Sequence, residues 1–233
     1  MRALRGVPQP AREDGGVQPG VVLFDLDGTL TESGPGIMRS LAVAFDAIGA
    51  PQLDQATMLR FVGPPLLQSF REVAGLDEQM SLAALQAYRR YYVEHGMFEN
   101  SVYPGIADLL QALQNSGRRL AVATSKPIMY ARQVVEHFGL AEYFLAVCGP
   151  ELDGVGAVKT QVVADAMTAL KVAAGADVVL VGDRSHDVTG AHANGIGCIG
   201  VLWGYGSREE LAAADAIATD VSALRRLLDG STV

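Results

Sequence analysis

The stretch Val21-Val22-Leu23-Phe24-Asp25-Leu26-Asp27-Gly28-Thr29-Leu30 constrains the fold more than any other part of the chain. Four apolar residues run into two aspartates at i and i+2, and a glycine and a threonine follow at once. An apolar run that stops at turn chemistry reads as a buried parallel strand ending at a loop. Open α/β sheets gather their sites at such strand ends. Two carboxylates there are costly unless something compensates them, because an unpaired buried charge is expensive. A divalent cation is the simplest compensation.

Beyond residue 105 the chain alternates helix and strand signals. Ile106, Leu109, Leu110 and Leu113 follow helical spacing, with Gly117 as the stop. Leu120–Ala123 reads as a short strand, and Pro127 as the first-turn proline of a helix carrying Ala131, Val134, Val135 and Phe138. Phe144–Cys148 is a third strand, Val178–Val181 a fourth and Ile196–Leu202 a fifth. Between the third and fourth, a helix carries Val162, Val163, Ala166, Met167 and Leu170. Strands alternating with helices mean βαβ units on a parallel sheet.

The segment from Ser33 to Tyr103 breaks this alternation. Ile37, Leu41, Ala44, Phe45 and Ile48 form one helical stripe and Leu66, Leu67, Phe70 and Val73 another, with a longer helix from Asp77 to His95. A crossover needs only one helix. The expected organisation is therefore a Rossmann-like core of residues 19–32 and 104–233 and a helical cap domain of residues 33–103. Pro35–Gly36 and Tyr103-Pro104-Gly105 are its expected hinges, and residues 1–18 are expected to form a flexible tail.

Four short segments follow predicted strands or open a predicted helix, so one edge of the sheet would gather them: Asp25-x-Asp27-Gly28-Thr29, Thr124-Ser125-Lys126, Lys159, and Gly182-Asp183-Arg184-Ser185-His186-Asp187. Asp25 and Asp183 offer the hard oxygens that magnesium prefers. Asp187 stands one helical turn after Asp183, where it can orient a metal-bound water. One aspartate can attack phosphorus and the second can move protons. Thr124 offers a hydroxyl to phosphate, and Lys159 offsets negative charge. Gly28 permits backbone conformations closed to other residues. Any one of these segments alone is weak: Asp-x-Asp commonly caps a helix, and Thr124-Ser125-Lys126 can do the same ahead of Pro127. Lysine is scarce, with three against fifteen arginines, and two of the three fall in these segments.

Phe24–Leu30 resembles the first motif of the haloacid dehalogenase superfamily. Val122–Lys126 resembles its second, Val158-Lys159-Thr160 its third, and Val181–Val188 its fourth. The likeness is strongest to phosphoglycolate phosphatase-like members with a helical cap, and includes Phe61-Val62-Gly63-Pro64-Pro65 and Gly204-Tyr205-Gly206-Ser207. It implies Asp25 as nucleophile and magnesium (Mg2+) ligand, and Asp27 as general acid/base whose carbonyl also binds the metal. It further implies Gly28, Thr124 and Ser125 as phosphate-binding, Lys159 as stabiliser of the phosphoenzyme, and Asp183 and Asp187 as the remaining metal residues. Glu32 and Thr160 depart from the residues most common in the family, Asp and Pro.

The implied activity is hydrolysis of a small phosphorylated metabolite through an aspartyl phosphate. The same motifs also serve phosphotransferases and phosphomutases with a sugar or protein acceptor, and a catalytically idle binding module is a further alternative. Composition narrows the rest. A net charge of −8 argues against a nucleic-acid polymer as partner. No apolar stretch reaches the roughly 18 residues that span a bilayer, and the first twenty residues hold no hydrophobic run of the secretory type. Cys148 and Cys198 read as small buried hydrophobes rather than a bridge, which suits a reducing cytoplasm. A monomer or homodimer is expected.

Overall fold

A computed structural model of the chain describes residues 18–152 and 158–230. The tail expected over residues 1–18 lies, except for Gln18, outside the described residues.

Six strands form one wholly parallel sheet: β1 (Val21–Phe24), β2 (Arg119–Ala123), β3 (Ala146–Cys148), β4 (Val178–Gly182), β5 (Gly197–Val201) and β6 (Ala216–Ala218). Their order is β3-β2-β1-β4-β5-β6, with β1 in the centre. The apolar runs are continuous because both faces are covered, as parallel sheets require. The two faces are nevertheless chemically distinct. Val22, Phe24, Val122, Val179 and Val181 point into a core shared with α5 (Ile106–Asn115), α6 (Ile128–His137) and α9 (Val221–Leu228). Val21, Leu23, Ala121, Ala123 and Leu180 face α7 (Lys159–Leu170) and α8 (Ser185–Ala193). The fold is therefore an α/β three-layer, Rossmann-like core, as the alternating signals predict. The edge strand β6 carries only Ala-Ile-Ala and escapes sequence reading.

Register explains how distant motifs meet. Phe24 stands beside Val122 on one side and Val181 on the other. Asp25, Thr124 and Asp183 thus leave the same edge within a residue of one another along three adjacent strands.

The segment between β1 and α5 is helical: α1 (Gly34–Ala47), α2 (Gln55–Leu59), α3 (Leu66–Glu72), α4 (Glu78–Tyr91) and a π-helical turn at Tyr92–Gly96. Sequence reading finds α1, α3 and α4 but misses α2, which is five residues long and has no fully buried residue. Phe45, Phe61 and Phe70 form the cap's aromatic centre, with ring centroids 5.4–6.2 Å apart. α1 packs along α4 and the π turn. Pro35–Gly36, expected as a hinge, instead occupies the first turn of α1. Gly36 is glycine for contact: a Cβ there would collide with the Gly96 carbonyl.

No helix among the described residues is long and apolar enough to cross a membrane. Cys148 and Cys198 are free thiols.

Replacing Gly36 by alanine overpacks the α1–π-turn contact. It should cost about 1–3 kcal/mol, read as a lower urea midpoint at unchanged m-value; a midpoint equal to that of the parent chain would refute the packing argument.

Candidate active site

Asp25 follows β1 directly and is 3% exposed. Its main-chain N–H donates to the Val181 carbonyl at 2.9 Å, so the ladder extends one residue beyond the strand and fixes the carboxylate's origin. Asp27 lies in the turn that follows, and Gly28 takes φ +81°. A Cβ at Gly28 would strike both the Asp183 carboxylate and the Tyr205 ring, so the turn packs flush on the β4 edge.

Lys159 is the first residue of α7, and its Nζ lies 2.7 Å from Asp25 Oδ1 and 2.6 Å from Asp187 Oδ1. Asp187 sits in the first turn of α8, where its Oδ2 accepts the Arg184 N–H at 3.0 Å. That bond is one half of a capping box and locks the carboxylate's orientation. Asp183 closes the group. Its Oδ2 accepts the Tyr205 N–H at 2.7 Å, while Oδ1 is buried with no hydrogen-bond partner among the described residues.

Carboxylate oxygens of Asp25, Asp183 and Asp187 all lie within 4.8 Å of one another. Lys126 adds a second ion pair: its Nζ is 2.8 Å from Asp27 Oδ1 and donates to the Tyr92 hydroxyl at 2.6 Å. Four carboxylates thus face two ammonium groups at this edge. The excess is two negative charges, which is what a divalent cation balances. Together with the orphaned Asp183 Oδ1, this donor set fits a hard cation bound by oxygen.

The carboxyls respond unequally to this crowding. Burial pushes Asp25 upward against the pull of Lys159, and the charges of Asp187 and Asp27 add to the rise. Asp183 is driven well above the ordinary carboxylate range by burial and then by Asp187 and Asp25. Burial acts upward on Asp187 too, but Lys159, His186 and the Arg184 amide outweigh it and hold the group low. Burial alone would lower Lys159; Asp187 and Asp25 overcome it and keep the ammonium charged. Asp183 therefore carries the uncompensated strain of the cluster, and a cation beside it would relieve that strain.

Thr124, 1% exposed, is held by a 3.2 Å bond from the Lys126 N–H to its hydroxyl, and Ser125 beside it is partly exposed. Every residue singled out from the sequence — Asp25, Asp27, Gly28, Thr124, Ser125, Lys159, Asp183 and Asp187 — leaves the same edge of the sheet, at the ends of β1, β2 and β4 or at the start of α7 or α8. Three further participants lie in or beside the segments that the sequence singles out, without a role assigned to them there. Lys126 closes the Thr124-Ser125-Lys126 segment and is one of only three lysines. Tyr92 reads as core from its aromatic neighbours, and it does stack on Tyr88 at 5.4 Å, yet its hydroxyl reaches Lys126. Arg184 joins core to cap: it pairs with Glu210 at 2.8 Å and donates to the Val62 carbonyl at 2.6 Å. His186 is a first-turn residue of α8, as its polarity suggests, and it lies beneath Gly63 of the cap.

Comparison with known proteins places this geometry. The family model described as haloacid dehalogenase-like hydrolase matches residues 22–201. A 5'-nucleotidase of Pseudomonas aeruginosa is 41% identical over 89% of this chain and 95% of its own length. The tyrosine-protein kinase PtkA of Mycobacterium tuberculosis is 44% identical over 82% of this chain and 65% of its own. Among solved structures, a predicted phosphatase from Clostridium acetobutylicum superposes with a TM-score of 0.84 at 43% identity, covering 89% of this chain and 97% of that one.

If the carboxylate cluster holds a cation, magnesium at about 100 times its Kd should stabilise the chain by about 2.7 kcal/mol. At about 2–4 °C per kcal/mol that is a rise of about 5–10 °C in thermal midpoint. Asp183→Asn should abolish the rise. Because the raised Asp183 carboxyl costs stability as pH climbs above the unfolded value, the variant without metal should melt at or above the parent at neutral pH. A magnesium response preserved in Asp183→Asn would exclude this residue from the metal site.

Proposed function

The chain belongs to the haloacid dehalogenase-like hydrolases, as a phosphatase-type member, and on that premise we propose that it is a magnesium-dependent phosphomonoesterase acting on a small phosphorylated metabolite. The observation that carries this reading is the pairing of Asp25 with Lys159 beside the orphaned oxygen of Asp183.

An oxygen of Asp25 attacks phosphorus while the bond from phosphorus to the leaving oxygen breaks. A protonated Asp27 gives its proton to that oxygen, releasing the alcohol. The resulting Asp27 carboxylate then takes a proton from water as the water attacks the aspartyl phosphate, freeing inorganic phosphate and Asp25. Lys126 occupies Asp27 Oδ1, which leaves Oδ2 to exchange the proton. Lys159 holds Asp25 and supplies positive charge to the phosphoryl oxygens, and Thr124 and Ser125 bind them. Asp25, Asp183 and Asp187, with the Asp27 carbonyl, would hold magnesium, which when bound neutralises charge on the transferring phosphoryl group.

In this reading residues 33–103 form the cap that covers the site and excludes bulk water. The relative in Pseudomonas aeruginosa is named for 5'-nucleotides, so nucleoside 5'-monophosphates are the first substrates to try here. A reducing cytoplasm is the compartment this reading assigns, consistent with the two free thiols.

A second reading has a specific observation behind it. The 44% identity to a tyrosine-protein kinase favours transfer of the phosphoryl group to a tyrosine hydroxyl. Both readings share the attack by Asp25 and differ in the acceptor.

Asp25→Asn should lower magnesium-dependent turnover of p-nitrophenyl phosphate by at least about 10³-fold; near-parental turnover would reject Asp25 as nucleophile. The acceptor is decided by mass balance. With a nucleoside 5'-monophosphate and magnesium, phosphate released should equal nucleoside formed. Phosphotyrosine appearing on added protein, with phosphate release falling short, would favour the kinase reading.

A further inference from the structure

The segment Trp203-Gly204-Tyr205-Gly206 is absorbed by none of the catalytic roles, yet it contacts Asp183, the turn after Asp27 and both linkers between core and cap. The Tyr205 N–H binds Asp183 Oδ2 at 2.7 Å, and this bond leaves Oδ1 as the free oxygen of that carboxylate. The Tyr205 hydroxyl accepts the Gly34 N–H at 2.6 Å, at the first residue of α1, where the chain leaves the core for the cap. Tyr103, on the returning linker, interacts with the same phenol. Its ring also lies edge-on to Trp203 at 6.5 Å, and the Trp203 indole N–H donates to the Thr29 carbonyl at 3.1 Å. The ring of Tyr205 covers Gly28 in the turn after Asp27.

We propose that Tyr205 is a positioning residue that couples the cap's two linkers to the metal carboxylate. One residue holds Asp183 by its backbone and the linkers by its side chain, so a shift of either linker is transmitted to the carboxylate whose free oxygen would meet the cation. By linkage the effect runs both ways. A cation that fixes Asp183 also steadies the linkers at Gly34 and Tyr103, and linkers held in place improve the cation's site. Closing the cap and completing the metal site then become one event. The proposal rests on the metal site assigned to Asp25, Asp183 and Asp187.

Tyr205→Phe tests this because it removes the clamp on Gly34 and keeps the backbone N–H that binds Asp183. Tyr103→Phe is the milder second variant should the first fold poorly, since it disturbs only the returning linker. The readouts are amide hydrogen exchange of the two linkers and the magnesium Kd from calorimetry, each on the full chain without substrate. In the parent chain magnesium should slow exchange at Gly34 and across residues 101–105. In Tyr205→Phe that slowing should vanish, and magnesium should bind at least about five-fold more weakly. A merely structural tyrosine would change exchange equally with and without magnesium. Magnesium-dependent protection retained in Tyr205→Phe overturns the coupling, whatever the affinity. Absence of magnesium binding in the parent chain overturns the coupling and the metal site together, which separates the two failures.

Discussion

The ammonium of Lys159, held between Asp25 and Asp187, is the contact on which the site depends. All three groups are nearly or fully buried. Buried ion clusters do not stabilise a fold by themselves, but removing one partner leaves an uncompensated charge that costs about 3–5 kcal/mol. The sheet must therefore deliver all three groups at once. β1 supplies Asp25, the first turn of α8 supplies Asp187, and the first residue of α7 supplies Lys159. A helix N-terminus is an unfavourable place for a cation because the helix dipole is positive there. Lysine at that position is tolerated because two carboxylates meet it, and the location is explained by chemistry rather than by helix stability.

The same accounting shows why Asp183 differs from its neighbours. Asp25 and Asp187 share Lys159, and Asp27 has Lys126. Among the described residues, Asp183 has no ammonium partner at contact distance: its Oδ2 accepts the Tyr205 N–H and its second oxygen has no hydrogen-bond partner. Charge, burial and hydrogen bonding all leave the same electrostatic deficit, at one carboxylate, facing two others. A divalent cation offsets both excess charges at once, whereas a third lysine, although it could donate to the free oxygen, would offset only one.

Much of this is legible in the sequence because it depends on periodicities that survive without tertiary context. The strands β1, β2 and β4 are continuous apolar runs, and parallel register carries the residues after each of them to a common edge. The central aspartates, Thr124 and Lys159 can be placed for that reason. The features that escape depend on contacts between segments far apart in sequence. The Lys126–Asp27 pair needs β1 and β2 side by side in the sheet, and the Lys126–Tyr92 bond needs the cap folded over the core. The bond from Arg184 to Val62 is of the same kind. β6 and α2 escape because three and five residues are too few for a period to show. Pro35–Gly36 reads as a hinge because both residues break regular structure in isolation, yet proline suits a helix's first turn, and the glycine is there for the approach of Gly96.

The cap reaches the chemistry at Tyr92, where α4 passes into the π turn at Tyr92–Gly96. An α-helix continuing from α4 would carry Tyr92 on in the ordinary 3.6-residue period. The wider turn inserts an extra residue into that period and changes where the following side chains point, a feature often found at functional sites. Here the turn begins at Tyr92, whose ring remains stacked on Tyr88 while its hydroxyl meets Lys126. Lys126 in turn binds Asp27, the group assigned to exchange protons with the leaving oxygen and with water. Through Tyr92 the cap joins a chain of polar contacts that ends on Asp27, the acid/base of the proposed mechanism. Relatives that share the core aspartates but differ in acceptor are expected to differ along this chain before they differ in the metal site.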